Sequence, residues 1–165
     1  VTAEAASLTE RQARLADWIT SDAPEDGATC GIDAVALRRT RAVLQHKRVD
    51  EVMPLLPRTA ALGEVARGSA FEALRRAPRA ARRLGVADAF RVARLAAEDP
   101  RLASAAVEDL LELRSRFVAS GPEGPRPRRG PFLGRARLPN GRRLWAVKGP
   151  GSEASVRIFE FGGER

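Results

Sequence analysis

The chain is poor in reactive side chains: its 165 residues include one cysteine, one histidine, one methionine and no tyrosine. The lone Cys30 cannot close an internal disulfide, which points to a reducing, cytoplasmic setting. One Cys and one His cannot assemble the Cys/His cluster of a structural zinc site, so no metal and no cofactor is expected. General acid–base or nucleophilic catalysis needs titratable groups that converge; Cys30 and His46 are isolated, and no catalytic residue is expected. Lysine is nearly absent, with Lys47 and Lys148 the only two among 29 basic residues. No apolar run approaches the roughly 18 residues that cross a bilayer. The opening residues, with Glu4 and Glu10, lack a signal peptide's basic start and apolar stretch. These absences disfavour an enzyme, a metalloprotein and a membrane protein, and leave a protein that binds.

What is present is arginine. The net charge is +8 and the pI about 11.3, which suits a polyanionic partner. The background rich in Ala, Gly and Pro is also what GC-rich coding yields, so arginines solvated on helix faces are the reading preferred over a functional anionic partner.

The character of the chain changes at 120–131, SGPEGPRPRRGP. Proline removes backbone donors and glycine relaxes φ, so this stretch cannot continue a helix. It divides a helical domain, residues 1–119, from a small β tail, residues 132–165, expected to dock on the helices. The fold class is therefore α+β and mainly α: an orthogonal bundle of five or six helices, then a three-stranded antiparallel meander.

Thr9-Glu-Arg-Gln12 is a capping box that opens a first helix, ending near Thr20. Asp33 caps a second, running to Met53. Its apolar residues form two stripes, Val35, Ala42, Val43, His46, Val49 and Met53, and Leu37, Leu44 and Val52, which predicts a central helix with two packing partners. Pro54 and Pro57 end it, and a short helical turn closes at Gly63. Ser69-Ala-Phe-Glu72 is a second capping box, whose helix is interrupted at Pro78 and stopped at Gly85; Asp88 caps the next. After Asp99-Pro100 a last helix carries Val107, Leu110, Leu111, Leu113, Phe117 and Val118, with Glu108, Asp109 and Glu112 on its wet side.

Beyond the linker, Phe132 to Leu138 and Arg142 to Lys148 flank Asn140-Gly141, which supplies the positive φ of a hairpin turn, and Val156 to Phe161 forms a third strand. Trp145, Val147, Phe159 and Phe161 share one face, and Leu144, Ala146, Val156 and Ile158 the other. Gly149-Pro-Gly151 is followed by no lysine and no helix start, which excludes a phosphate loop.

Two surfaces stand out. Arg38, Arg41, Lys47 and Arg48 on the second helix are candidates for binding an acidic partner. Arg143, Trp145, Phe159 and Phe161 on the tail are candidates for holding an extended peptide, because an outermost strand offers unpaired backbone groups. Charge on Arg135, Arg137 and Arg157 could instead simply protect that edge.

The stretch Val35 to Gly63, with Leu44-Gln-His-Lys-Arg48 and Pro57, followed by Phe71 and Pro78, resembles the helical domain of small partner proteins. Those partners accompany the multinuclear iron enzymes of the methanobactin-biosynthesis type. Actinobacterial members share the Arg/Pro-rich linker and short β tail, and the similarity runs from about Leu8 to Phe161. The resemblance implies a non-catalytic accessory subunit. Its partners would be a multinuclear iron-dependent oxidative enzyme and that enzyme's ribosomally made, cysteine-containing precursor peptide, which the subunit helps to present. A related helical domain is known as a DNA-binding domain, so a basic DNA-binding protein is the alternative.

Overall fold

The computed structural model describes residues 9–10, 12–13, 34–75, 84–119, 124–151 and 154–162. Thr9, Glu10, Gln12 and Ala13 are helical; the other residues of the expected first helix, Cys30, Asp33 and Pro78 lie outside the described residues. The helices that follow are α1 (Ala34–Val52), α2 (Pro57–Ala60), α3 (Glu64–Arg75), α4 (Leu84–Ala96) and α5 (Ala103–Arg116). A 3-10 turn, Met53–Leu55, joins the first two. The strands are β1 (Phe117–Val118), β2 (Arg126–Pro127), β3 (Phe132–Arg137), β4 (Arg143–Lys148) and β5 (Val156–Phe161). From Ala34 onward the described residues are thus mainly α, five helices followed by a three-stranded antiparallel sheet in the order β3-β4-β5, with β1 and β2 forming a separate small ladder.

Prolines and one glycine set the early boundaries. Pro54 tightens the end of α1 into the 3-10 turn, Pro57 opens α2, and Gly63 closes it at a φ of 64° that disfavours a side chain. The helices then pack through alanines: Ala66, Ala70 and Ala73 of α3, Ala89, Ala93 and Ala96 of α4, and Ala103 and Ala106 of α5 are all buried. Val49, Val52, Met53, Leu56, Leu74, Phe90, Leu102 and Leu113 fill the space between them. A second core, Leu111, Leu138, Leu144 and Ala146 with Phe132, Ala136, Val156 and Ile158 against it, seats the sheet on α5. Helix α5 therefore serves both cores, one stripe through Ala106, Leu110 and Leu113, the next through Val107 and Leu111.

Several local expectations need correcting. Helix α3 begins at Glu64, with Ser69 in its interior, because the chain turns directly from Gly63 into the helix and leaves no room for a cap at Ser69. Helix α4 begins at Leu84 and contains Gly85; Asp88 is no cap but a buried ion-pair partner. Phe117 and Val118 belong to β1, where the backbone leaves α5 in an extended conformation. Among the described side chains, those of α1 that are buried lie toward its C-terminal end: Val49 and Val52 are core, as is Met53 in the turn that follows, while Val35, Ala42 and Val43 are exposed. Asp109, expected on the wet side, is sealed; its carboxylate accepts the Thr59 N–H at 2.7 Å and the Arg58 N–H at 3.3 Å, supplying α2's free amides.

The linker is more structured than a spacer from Gly124 onward. Arg126 and Pro127 pair antiparallel with Val118 and Phe117, and the Arg128 N–H donates to Arg116 O at 2.7 Å. The Arg128 side chain donates to Arg114 O at 3.1 Å and lies 5.0 Å from the centre of the Phe132 ring, a cation–π contact. Phe132 in turn folds across Gly134: a Cβ there would collide with the ring and stand 3.2 Å from Leu111 Cδ1. Lys148 completes the fastening. It is 1% exposed, and its ammonium donates to the backbone carbonyls of Arg128 and Gly151, the former at 3.1 Å. At the hairpin Gly141 takes a φ of 83°, and its N–H donates to Leu138 O at 2.9 Å, as the Asn-Gly pair predicts.

Candidate binding face

Strand alternation gives the sheet two unlike sides. Leu144, Ala146 and Lys148 point toward α5 and are buried, whereas Arg143, Trp145 and Val147 point away from it. The register places three rows across the outer side: Leu133, Val147 and Arg157; Arg135, Trp145 and Phe159; Arg137, Arg143 and Phe161. These nine residues comprise four arginines, three aromatics and two aliphatics, with no carboxylate. Phe159 and Phe161 are 44% and 56% exposed. A depression of about 390 Å³ is lined by Arg135, Arg137, Arg143 and Trp145, together with Ala136.

The four residues expected to hold a peptide are thus brought together: Trp145 stands opposite Phe159 and Arg143 opposite Phe161. Arg135 and Arg137 line the depression as well, yet in the sequence they read only as edge protection. The signal that could have identified them is register, since Asn140-Gly141 places Arg135 beside Trp145 and Arg137 beside Arg143.

The basic cluster on α1 is not brought together. At 100° per residue Lys47 lies on the opposite side of the helix from Arg38. Arg38 is exposed and Arg41 partly so, and each already has an interaction partner. Arg48 is 7% exposed. Its guanidinium grips Asp88 through two hydrogen bonds of 2.5 and 2.7 Å and donates to Leu74 O at 3.1 Å, tying α1, α3 and α4 together. Arg48 is therefore removed from the candidate partner surface, because a charge buried in a bidentate pair has no capacity for another protein.

Elsewhere in the helical body arginines also meet carboxylates. Arg58 bridges Glu108, Asp109 and Glu112 at 3.0, 3.3 and 2.7 Å. Burial, the largest single influence on Glu112, favours its protonated form. The Arg58 hydrogen bond and the charges of Arg116 and Arg58 outweigh burial and hold its carboxyl below the ordinary range. His46 is occupied too: Nδ1 lies 2.8 Å from Ala42 O and the ring packs 5.2 Å from Phe71. Among the described residues no three His, Cys, Asp or Glu side chains group as metal ligands, and no helix is long and apolar enough to cross a membrane. No family model, no curated protein and no solved structure matches the chain.

Guanidinium forks with aromatic faces between them have the chemistry of a recognition surface. They can hold carboxylates or phosphates bidentately and lay an apolar or planar group across Trp145 and Phe159. Nothing in this arrangement activates a nucleophile or positions a general base.

Proposed function

We propose that the chain is a non-catalytic accessory subunit. Its helical body docks on a multinuclear iron peptide-modifying enzyme, and its β tail holds that enzyme's ribosomally made precursor peptide. The observation that carries the peptide-holding role is the outer side of the sheet, where Arg143, Trp145, Phe159 and Phe161 form one surface on and beside the outermost strands β3 and β5, each of which pairs on one side only among the described residues. An extended segment gains affinity from backbone pairing at such an edge and selectivity from alternate side chains. The docking role rests on the resemblance of Val35 to Gly63, followed by Phe71 and Pro78, to partner proteins, and on exposed residues of α1, Arg38 on one side and Val43 with Lys47 on the other.

The test is retention of host proteins on the full chain as bait. A metal-dependent peptide-modifying enzyme should be retained, and Arg38→Glu with Lys47→Glu should reduce its retention while the variant stays folded, because exposed charges add little stability. Trp145→Ser with Phe161→Ser should lose the peptide and keep the enzyme. Binding of duplex DNA with steep salt dependence, and of no protein, would establish the DNA-binding alternative, since each neutralised phosphate releases counterion.

A further inference from the structure

We propose that the segment held by the tail is acidic at alternate positions and runs along β3. Its carboxylates would be gripped by Arg135, Arg137 and Arg143 around Trp145. The inference rests on the peptide-holding role proposed above and adds the chemistry and the place of the ligand.

The first argument is uncompensated charge. Among the described residues Arg135, Arg137, Arg143 and Arg157 have neither a hydrogen-bond nor an ion-pair partner, whereas most arginines of the helical body, Arg39, Arg94 and Arg114 excepted, have an interaction partner, several of them Asp50, Glu72, Asp88, Asp99 or Glu112. Arg137 stands directly opposite Arg143, an arrangement of like charges that destabilises an antiparallel pair. An anion between the two guanidiniums removes that cost. The depression beside Trp145 is where such an anion would sit.

The second argument is spacing. Arg135 and Arg137 are two residues apart on one side of β3, about 6.6 to 6.8 Å along the strand. An extended peptide repeats its side chains at the same interval, so carboxylates at every second residue meet successive guanidiniums in register. Arg143 lets one of those carboxylates bridge two arginines, and the Trp145 ring takes the apolar stem between them.

The third argument selects the edge. Strand β5 carries a single outward arginine, Arg157, and its own carboxylate, Glu160, which pairs with Arg142. Glu160 has the helix-facing parity of Leu144 and is already neutralised, so an acidic segment would meet one outward guanidinium there, against the two of β3. Strand β3 has no acidic residue.

The experiment uses the full chain with Trp18→Phe, so that fluorescence reports Trp145. It is titrated with a synthetic peptide alternating Glu and Thr, with its Gln counterpart, and with oligothymidylate. The Glu peptide should change the emission and weaken as salt rises. The Gln peptide should bind at least about tenfold more weakly, as loss of charge-assisted hydrogen bonds requires. Arg135→Gln with Arg137→Gln should reproduce that loss with an unchanged circular dichroism spectrum, and Arg157→Gln should lose much less. Equal binding of the Gln peptide, a loss as large in the Arg157 variant, or no binding of either peptide overturns the proposal. Tighter binding of oligothymidylate replaces it with a single-stranded nucleic acid platform, on which bases stack against Trp145 and Phe159. The accessory reading fails separately. A Glu-peptide preference without any retained enzyme would sink that reading alone, whereas a precursor held by the tail but indifferent to Glu-to-Gln exchange would sink only the acidic-ligand proposal.

Discussion

The helical body and the outer side of the sheet use the same residue in opposite ways. In the body, key arginines are structural: Arg48 is buried against Asp88, and Arg58 gathers three carboxylates of α5 onto α2. On the sheet, Arg135, Arg137 and Arg143 surround a depression with no carboxylate opposite them. Net charge alone does not distinguish these roles. The difference teaches that a strongly basic chain should be read by which of its cations are neutralised internally, because only the remainder is available to a partner.

The comparison can be broken most forcefully inside the body. Asp88→Ala leaves the Arg48 guanidinium buried without its anion, a change that costs about 3 to 5 kcal/mol, so urea titration should show a large drop in midpoint. Replacing both partners, with Arg48→Met and Asp88→Leu, should recover most of the loss, since a packed apolar pair often serves as well.

Where the two regions meet, Gly134→Ala should cost about 1 to 3 kcal/mol by overpacking. The new methyl group displaces the Phe132 ring from its place above Gly134 and beside Leu111. Thermal melts of the variant should be lower, and amides of β3 should exchange faster with solvent than those of α3.

Neutralising Arg135, Arg137 and Arg143 together with Gln sharpens the contrast, because stability should then move by no more than about 0.5 kcal/mol, or rise as the Arg137–Arg143 repulsion is relieved. An unchanged melting temperature with abolished peptide binding is the expected pair of results. A large destabilisation would show that these arginines are structural like those of the body.

The smallest effect concerns acid. Glu112 has a lowered folded pKa, so it contributes stability that is fully present above the ordinary glutamate value, about 4.3, and is lost as pH falls through the lower folded value. The group is partly exposed, and solvent screening keeps the contribution small. Glu112→Gln should flatten the acid limb of the stability–pH profile by lowering the neutral plateau by that small amount, with stability below the folded pKa nearly unchanged.

The sequence was most legible where a single local rule governs a boundary. The Asn140-Gly141 turn fixed the hairpin, and strand alternation alone separated Leu144 and Ala146 from Trp145 and Val147. Pro54, Pro57 and Gly63 marked the breaks after α1 for the same reason. Illegible were the positions decided by distant partners. Asp88 and Ser69 carry cap chemistry, but Arg48 lies forty residues before Asp88 and draws it into the interior. Asp109 sits among the polar residues of an amphipathic helix, and nothing local reveals that Thr59, fifty residues earlier, will donate to it. In the α1 cluster, too, sequence proximity hid geometry: neighbouring basic residues point to different sides of a helix, and Arg48 turns inward. On the binding face, parity gave the members and only the register gave Arg135 and Arg137 their neighbours.

The fastening of linker to tail has a practical consequence. Of the two lysines, Lys47 is exposed on α1 and Lys148 is enclosed by backbone carbonyls of Arg128 and Gly151. An amine-reactive reagent applied to the native protein should therefore modify Lys47 at once and reach Lys148 only in molecules whose tail has momentarily opened. The labelling rate at Lys148, read by mass spectrometry against Lys47 as an internal reference, becomes a clock for that opening, and a ligand that clamps the tail should slow it.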